Sequence, residues 1–320
     1  MHMKRVYVLA AVVMAGIVAT AAAGLSAQQP AAPAGQGQGR GGGAPAAGVS
    51  AIAKVADNLY QVPGAGGTTA VFVTAKGVVL VDTKLANNGQ AILDQVKTVT
   101  DRPITHIINT HTHGDHNGSN QFFPASVEIV AHQNTGANMQ KMPVFQEAAN
   151  KHGLPDRTYT DRMTLLSGNE SIDLYYFGAA HTNGDTFVVF RNAGVMHTGD
   201  AFANKGQPLI DRPNGGSGIA YPDTIAKAAS TVKNVKTIIT GHAQNGALMT
   251  MQDLADFGEF NRLMLDHARQ ALKQGQTPEQ AMTDFRAKLP AKFKEYNLAG
   301  GRGGPGGNFG VLFEELKTAK

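Results

Sequence analysis

The 320-residue chain has no cysteine and no tryptophan. Without cysteine there is no disulfide, no thiolate metal ligand and no thiol-acylated lipoprotein anchor, so the redox compartment has to be inferred from other features. Charge is also sparse: charged residues make up 16% of the chain and the formal net charge is +4. Removing the first 27 residues, which hold Lys4 and Arg5 and no acid, leaves +2. A balance this small leaves no basic footprint for nucleic acid. No internal repeat of 20–50 residues is visible, which excludes solenoids and propellers.

A hydrophobic share of 42% is enough for one large domain with appendages. Lys4-Arg5 precede an apolar run, 6–23, that ends in Gly24-Leu25-Ser26-Ala27. This is the pattern of a secretory signal cleaved after Ala27, predicting a periplasmic or secreted protein. Left uncleaved, the same run is long enough to serve as an anchor, and it is then the chain's only link to a membrane. Residues 28–48 are Pro, Ala, Gly and Gln with a single charge, Arg40, and offer no apolar surface to offset chain entropy. They are expected to be a disordered linker, leaving 49–320 as the folded domain with a helical C-terminal extension.

From Val49 onward the pattern is of short strands and amphipathic helices. Strands are expected over 52–60, 69–74, 78–81, 104–109, 127–131, 163–166, 172–177, 186–190, 195–197 and 237–240. Helices are expected over 87–99, 221–235, 254–272 and 278–289, with a mostly helical polar stretch between 133 and 161. A glycine-rich stretch, 299–308, is followed by Phe309-Gly310-Val311-Leu312-Phe313, apolar enough to dock, and reads as a mobile loop between packed elements.

One stretch carries the chemistry, Thr110-His111-Thr112-His113-Gly114-Asp115-His116, directly after the apolar run 104–108. His111 and His113, two apart in extended backbone, point the same way and can bind one ion. Asp115 and His116 lie on the following turn, displaced toward a second ion. Imidazole and carboxylate donors without thiolate suit zinc, with a position left open for water.

These residues resemble the His-x-His-x-Asp-His signature of the metallo-β-lactamase superfamily. The resemblance continues in order through Ala180-His181-Thr182-Asn183-Gly184-Asp185, His197-Thr198-Gly199-Asp200 and Thr240-Gly241-His242. It implies an α/β fold, a four-layer αββα sandwich. It also implies two Zn2+ per chain, one held by His111, His113 and His181 and the other by Asp115, His116 and His242, with Asp200 bridging as in the glyoxalase II-like branch. Cysteine-bearing β-lactamases carry a thiolate where Asp200 stands, so the chain departs from them there.

The implied chemistry is attack of a metal-bound hydroxide, oriented by Asp115, on the carbonyl of a small-molecule ester, thioester, lactone or β-lactam. Alternatives within the superfamily are an iron-dependent redox or sulfur-oxidising enzyme and a nonenzymatic metal-binding scaffold. Substrate contacts are expected from the loop 203–221, with Lys205 holding a carboxylate and Asn214 an oxyanion or amide. His106, His132, His152 and His267 read as structural or solvated, His197 as a packed core residue, and Asp185 as the tie of its own loop.

Cleavage after the signal predicts that exported protein begins near Gln28 and is soluble in the periplasm. N-terminal sequencing of the fractionated protein checks this. Full-length chain retained in membranes is the contrary result.

Overall fold

The computed structural model describes residues 48–299 and 306–319. The expected signal and nearly all of the linker lie outside the described residues, as do positions 300–305 of the glycine-rich stretch. Among the described residues no helix is long and apolar enough to cross a membrane.

The strands form two sheets. The first comprises β1 (Ala53–Ala56), β2 (Leu59–Val62), β3 (Thr69–Val73), β4 (Val78–Val81), β5 (Ile104–Asn109), β6 (Glu128–His132) and β7 (Arg157–Tyr159), in that spatial order. The second comprises β8 (Arg162–Leu165), β9 (Ile172–Tyr175), β10 (Phe187–Phe190), β11 (Val195–His197) and β12 (Thr237–Ile239), ordered β12-β11-β10-β9-β8. Hairpin-linked neighbours pair antiparallel, whereas β4-β5, β5-β6, β6-β7 and β11-β12 are parallel. Parallel pairing requires a crossover, and helices supply it. They are α1 (Gly89–Lys97) after β4, the single turn α2 (Gly114–Asn117) after β5, α3 (Gln133–Met139) and α4 (Pro143–Gln146) after β6, and α5 (Tyr221–Thr231) after β11. Three more, α6 (Met251–Lys273), α7 (Pro278–Lys288) and α8 (Asn308–Thr318), complete the chain.

Side chains alternate across a strand, so each strand here feeds two cores. Val79, Val81 and Ile108 of the first sheet meet Val188, Phe190, Val195 and Ile239 of the second in the core between the sheets. Their neighbours Val78, Leu80 and Ile107 point the other way, onto Ile92 and Val96 of α1. On the far side Phe187, Val189, Met196 and Ile238 pack against α5 to α8. Helix, sheet, sheet and helix are therefore stacked as the four-layer αββα sandwich expected.

Two local expectations need correction. The run 52–60 is two antiparallel strands, because Asn58 adopts a left-handed conformation (φ 58°) and turns the chain. The stretch 133–161 is mostly helical as expected, but its end is not. After α3, α4 and a 3-10 segment it ends in the edge strand β7, whose three residues are too few to show a period.

The C-terminal layer rests on aromatic packing. Phe260 of α6 is fully buried, with the rings of Phe285, Phe293 and Tyr296 at centroid separations of 5.8, 5.6 and 4.9 Å. Phe260→Ala is expected to cost about 3–5 kcal/mol, read as a lowered urea midpoint at fixed metal content.

Candidate metal centre

All seven expected ligands lie just beyond strand ends on one rim of the sandwich. His111 and His113 follow β5, with Asp115 and His116 on α2. His181 lies between β9 and β10, Asp200 just after β11 and His242 just after β12. Residues up to 131 positions apart in sequence thus converge on loops anchored in rigid strands.

The first group is a triangle of ring nitrogens. His113 Nδ1 lies 3.2 Å from His111 Nε2 and 2.9 Å from His181 Nε2. The second group joins His116 and His242, whose Nε2 atoms are 3.4 Å apart, with Asp115 Oδ2 3.4 Å from His242 Nε2. Asp200 stands between the groups. Its Oδ1 is 3.3 Å from His116 Nε2, and its Oδ2 is 3.2 Å from His242 Nε2 and 3.7 Å from His181 Nε2.

The opposite ring nitrogens decide what these contacts mean. His181 Nδ1 donates to the carbonyl of Leu209 at 2.7 Å, and His113 Nε2 donates to Asp211 Oδ2 at 2.5 Å. His116 Nδ1 donates to Asp82 Oδ2 at 2.7 Å. His111 Nδ1 donates to Thr110 Oγ1 at 3.0 Å, and that hydroxyl in turn donates to Asp82 Oδ2 at 2.7 Å. Each neutral imidazole has one N–H, so in the rings of His111, His113 and His181 the nitrogen facing the centre carries a lone pair. Three lone pairs, with that of His113 within 3.2 Å of each of the other two nitrogens, have no proton to share, whereas one ion with Zn–N contacts of about 2.0–2.1 Å satisfies all three.

Two further observations fit divalent metal. Asp200 Oδ1 is buried and accepts no hydrogen bond, a cost that an ion removes. The backbone also leaves room: a Cβ on Gly241 would stand 2.0 Å from Asp200 Oδ1, and one on Gly67 would stand 2.3 Å from the His116 ring. The residues present fit two ions.

Charge follows from burial and neighbours. Burial among other imidazoles pushes His111 well below the ordinary histidine pKa, and burial with His113 beside it pushes His181 down to about 4. Burial also disfavours charge on His116, but the carboxylates of Asp200, Asp115 and Asp82 outweigh it and lift its pKa well above the ordinary value. Burial opposes ionisation of Asp200, yet His242 and His116 hold its carboxyl well below the usual range. Asp211, likewise opposed by burial, is drawn down to about 2 by His113 and Asn214.

The two expected substrate contacts are committed elsewhere. Lys205 Nζ pairs with Asp253 Oδ1 at 2.6 Å, and Asn214 Nδ2 donates to Asp211 Oδ2 at 2.7 Å. Asp253 is the third residue of α6 and forms a capping box with Thr250. Helix capping and charge pairing together draw Lys205 to it. Asn214 instead steadies the carboxylate behind His113.

The other histidines take structural places. His106 lies 3.3 Å from Glu128, and His132 donates to Thr160 O and stacks on Tyr176. His152 and His267 donate to the carbonyls of Gln121 and Ala281, and the buried His197 to that of Thr68. Asp185 accepts from the amide and hydroxyl of Thr182 and so ties its own loop; burial pushes its pKa up to about 7.

Sequence reasoning did not single out Asp82 or Asp211. Asp82 closes β4 in a left-handed conformation (φ 62°) that is uncommon for a non-glycine residue, and its carboxylate serves His116 directly and His111 through Thr110. If both groups hold metal, Asp82→Ala is expected to weaken its binding at each, and Asp211→Ala only at the three-histidine group. Each loss should be about 10- to 100-fold, as for other residues that orient ligands. Competition titration with a chromophoric chelator separates the two patterns.

Comparison with known proteins agrees with this geometry. The family model for the metallo-beta-lactamase superfamily matches residues 63–242. The uncharacterized protein YobT of Bacillus subtilis (strain 168) is 29% identical over 138 residues, which are 40% of this chain and 59% of that protein. Among solved structures, the stereoselective inverting sec-alkylsulfatase Pisa1 from Pseudomonas sp. superposes with a TM-score of 0.67 at 15% identity, over 83% of this chain and 50% of that one. The DIM-1 metallo-beta-lactamase gives 0.54 at 15% identity, over 68% of this chain and 99% of that one. The metallo-beta-lactamase from Pontibacter korlensis gives 0.54 at 18%, over 67% and 99%. At such identities the structural likeness is one of fold. The family match spans more than half the chain and contains all seven converging residues, and the chain belongs to the metallo-beta-lactamase superfamily.

Proposed function

We propose that the chain is an exported dizinc hydrolase that cleaves the acyl bond of a small-molecule ester, thioester, lactone or β-lactam. The observation that carries this reading is the convergence of lone-pair nitrogens from His111, His113 and His181 beside a second group, with Asp200 between them. His111, His113 and His181 would hold one ion, Asp115, His116 and His242 the other, and Asp200 both. When bound, two zinc ions supply a water acidified to a pKa of about 7 and polarise the carbonyl under attack.

The chain's own residues do the rest. Of the seven side chains, only Asp115 and His242 are substantially exposed, at 31% and 35%, so substrate reaches the centre from their side. The Asp115 carboxylate is placed there to accept a hydrogen bond from the attacking water and aim its lone pair at the carbonyl carbon. The water oxygen bonds to that carbon, the bond to the leaving oxygen, sulfur or nitrogen breaks, and the water proton passes to the departing group. Asp82, Thr110, Asp211 and Leu209 hold four imidazoles in the tautomer the centre needs. The donors carry no thiolate.

Metal analysis of the purified protein is expected to give about two zinc per chain, and chelation should lower both turnover and Tm, because ligand bound only to the folded state stabilises it. Iron as the native metal would select the redox alternative, and two zinc with no turnover the scaffold alternative. Asp200→Ala removes a charge and a contact shared by both groups and should weaken both, whereas His242→Ala should leave the three-histidine group loaded with one zinc. An Asp200→Ala protein that keeps two zinc at unchanged affinity would remove Asp200 from the centre.

A further inference from the structure

A cavity of about 530 Å³ adjoins the exposed side of the centre, with His242 in its wall. Its other walls come from three backbone segments: Ala51 and Ala53 before and at the start of β1, Pro63 and Gly64 after β2, and Ala243 and Gly246 after His242. None of the described residues that line it is Lys, Arg, Asp or Glu. Two of its polar side chains are spent on the walls. Gln61 Nε2 donates to Gly246 O at 2.6 Å, and Thr68 Oγ1 accepts from the Ala243 amide at 3.2 Å.

Among the described residues, cations of the neighbouring segments are already engaged. Lys205 is paired with Asp253, and Arg212 with Glu315. The nearby ammonium of Lys84 is buried and donates to the carbonyls of Val62, Gly64 and Gly67. The centre itself is no anion trap, because Asp82, Asp115, Asp200 and Asp211 match the four charges of two dications. An ionised group entering the cavity would give up part of its hydration and meet no Lys or Arg among the described residues of its walls, whereas an uncharged group would lose little.

We infer that this cavity receives the group attached to the reacting carbonyl, and that this group is uncharged, so the substrate is a neutral carboxylic ester or lactone. The inference rests on the hydrolase reading above and narrows it. It sets aside substrates that carry an anion beside the scissile bond, such as β-lactam carboxylates and alkyl sulfates. The volume lies within the range of about 300–1,000 Å³ typical of small-molecule sites.

A matched pair of substrates tests it. p-Nitrophenyl butyrate and p-nitrophenyl hemisuccinate present the same leaving group and a four-carbon acyl chain that differs by a terminal carboxylate. The zinc-loaded protein is expected to favour the butyrate in kcat/KM by about tenfold or more. Ala51→Lys, at an exposed wall position, should shrink or reverse that preference. The corresponding anilides, butyranilide and succinanilic acid, read the cavity by calorimetry without turnover. Tighter binding of butyranilide, reversed by Ala51→Lys, supports the assignment even if neither ester is cleaved, in which case only the hydrolase reading falls. Equal binding of the two anilides, binding of neither, preference for the charged member, or no effect of Ala51→Lys on either ratio overturns it.

Discussion

The carboxylate of Asp82 is the contact on which the first half of the centre depends. It takes the Thr110 amide at 2.8 Å and the Thr110 hydroxyl at 2.7 Å on its two oxygens, and His116 Nδ1 at 2.7 Å. One group therefore closes β4, fixes the exit of β5 and sets the tautomer of an imidazole in each ligand group. The backbone bends into the left-handed region at Asp82 and again at Lys84 to place it (φ 62° and 66°), and strain of this kind persists where surrounding contacts over-determine it. Lys84 supplies those contacts. Burial pushes its pKa down to about 7, but three carbonyl acceptors match the three donors that only the ammonium has, so the charged form is the one the loop 62–67 is built around.

The two ligand groups differ in solvation. His111, His113 and His181 are buried, each with its far nitrogen held by an acceptor. In the second group Asp115 and His242 remain partly open to water. A closed group binds tightly and changes little during a reaction, while an open one can exchange water and admit substrate. The asymmetry fits the proposed reading, in which the first group anchors and the second admits substrate, and the cavity is lined by His242 of the more open group.

How much of this was legible in the sequence depended on how local each signal was. His111, His113, Asp115 and His116 fall within six residues, so their spacing speaks directly, and the strands feeding them show in runs such as 104–108. The paired cores were not legible in periodicity: Val78 to Val81 point to opposite layers one residue at a time, yet the run is apolar throughout, so the sandwich came from the family resemblance. Asp82 and Asp211 were silent because their partners lie 34 and 98 residues away, and an aspartate after a strand or in a loop has many uses. The pairing of Lys205 was silent for the same reason. The partner that occupies it, Asp253, belongs to a helix cap 48 residues on, and nothing at Lys205 itself announces that pairing.

The C-terminal helix belongs to the centre as well as to the core. Glu315 of α8 is buried and accepts from the Ser217 hydroxyl at 2.5 Å and the Gly218 amide at 2.8 Å, while Arg212 pairs with it at 2.9 Å. Asn308, at the other end of α8, is hydrogen-bonded to Gln207 and Pro208. These contacts bracket the segment 207–218, which carries Leu209 behind His181 and Asp211 behind His113. A loop that must hold two imidazoles to within tenths of an ångström needs support of its own, and here it comes from a helix more than 90 residues later in the chain. The apolar face of α8, with Phe309, Leu312 and Phe313 buried against the helical layer, keeps Glu315 in register. Packing on the outside of the sandwich is thereby transmitted, through one carboxylate, to the geometry of the three-histidine group.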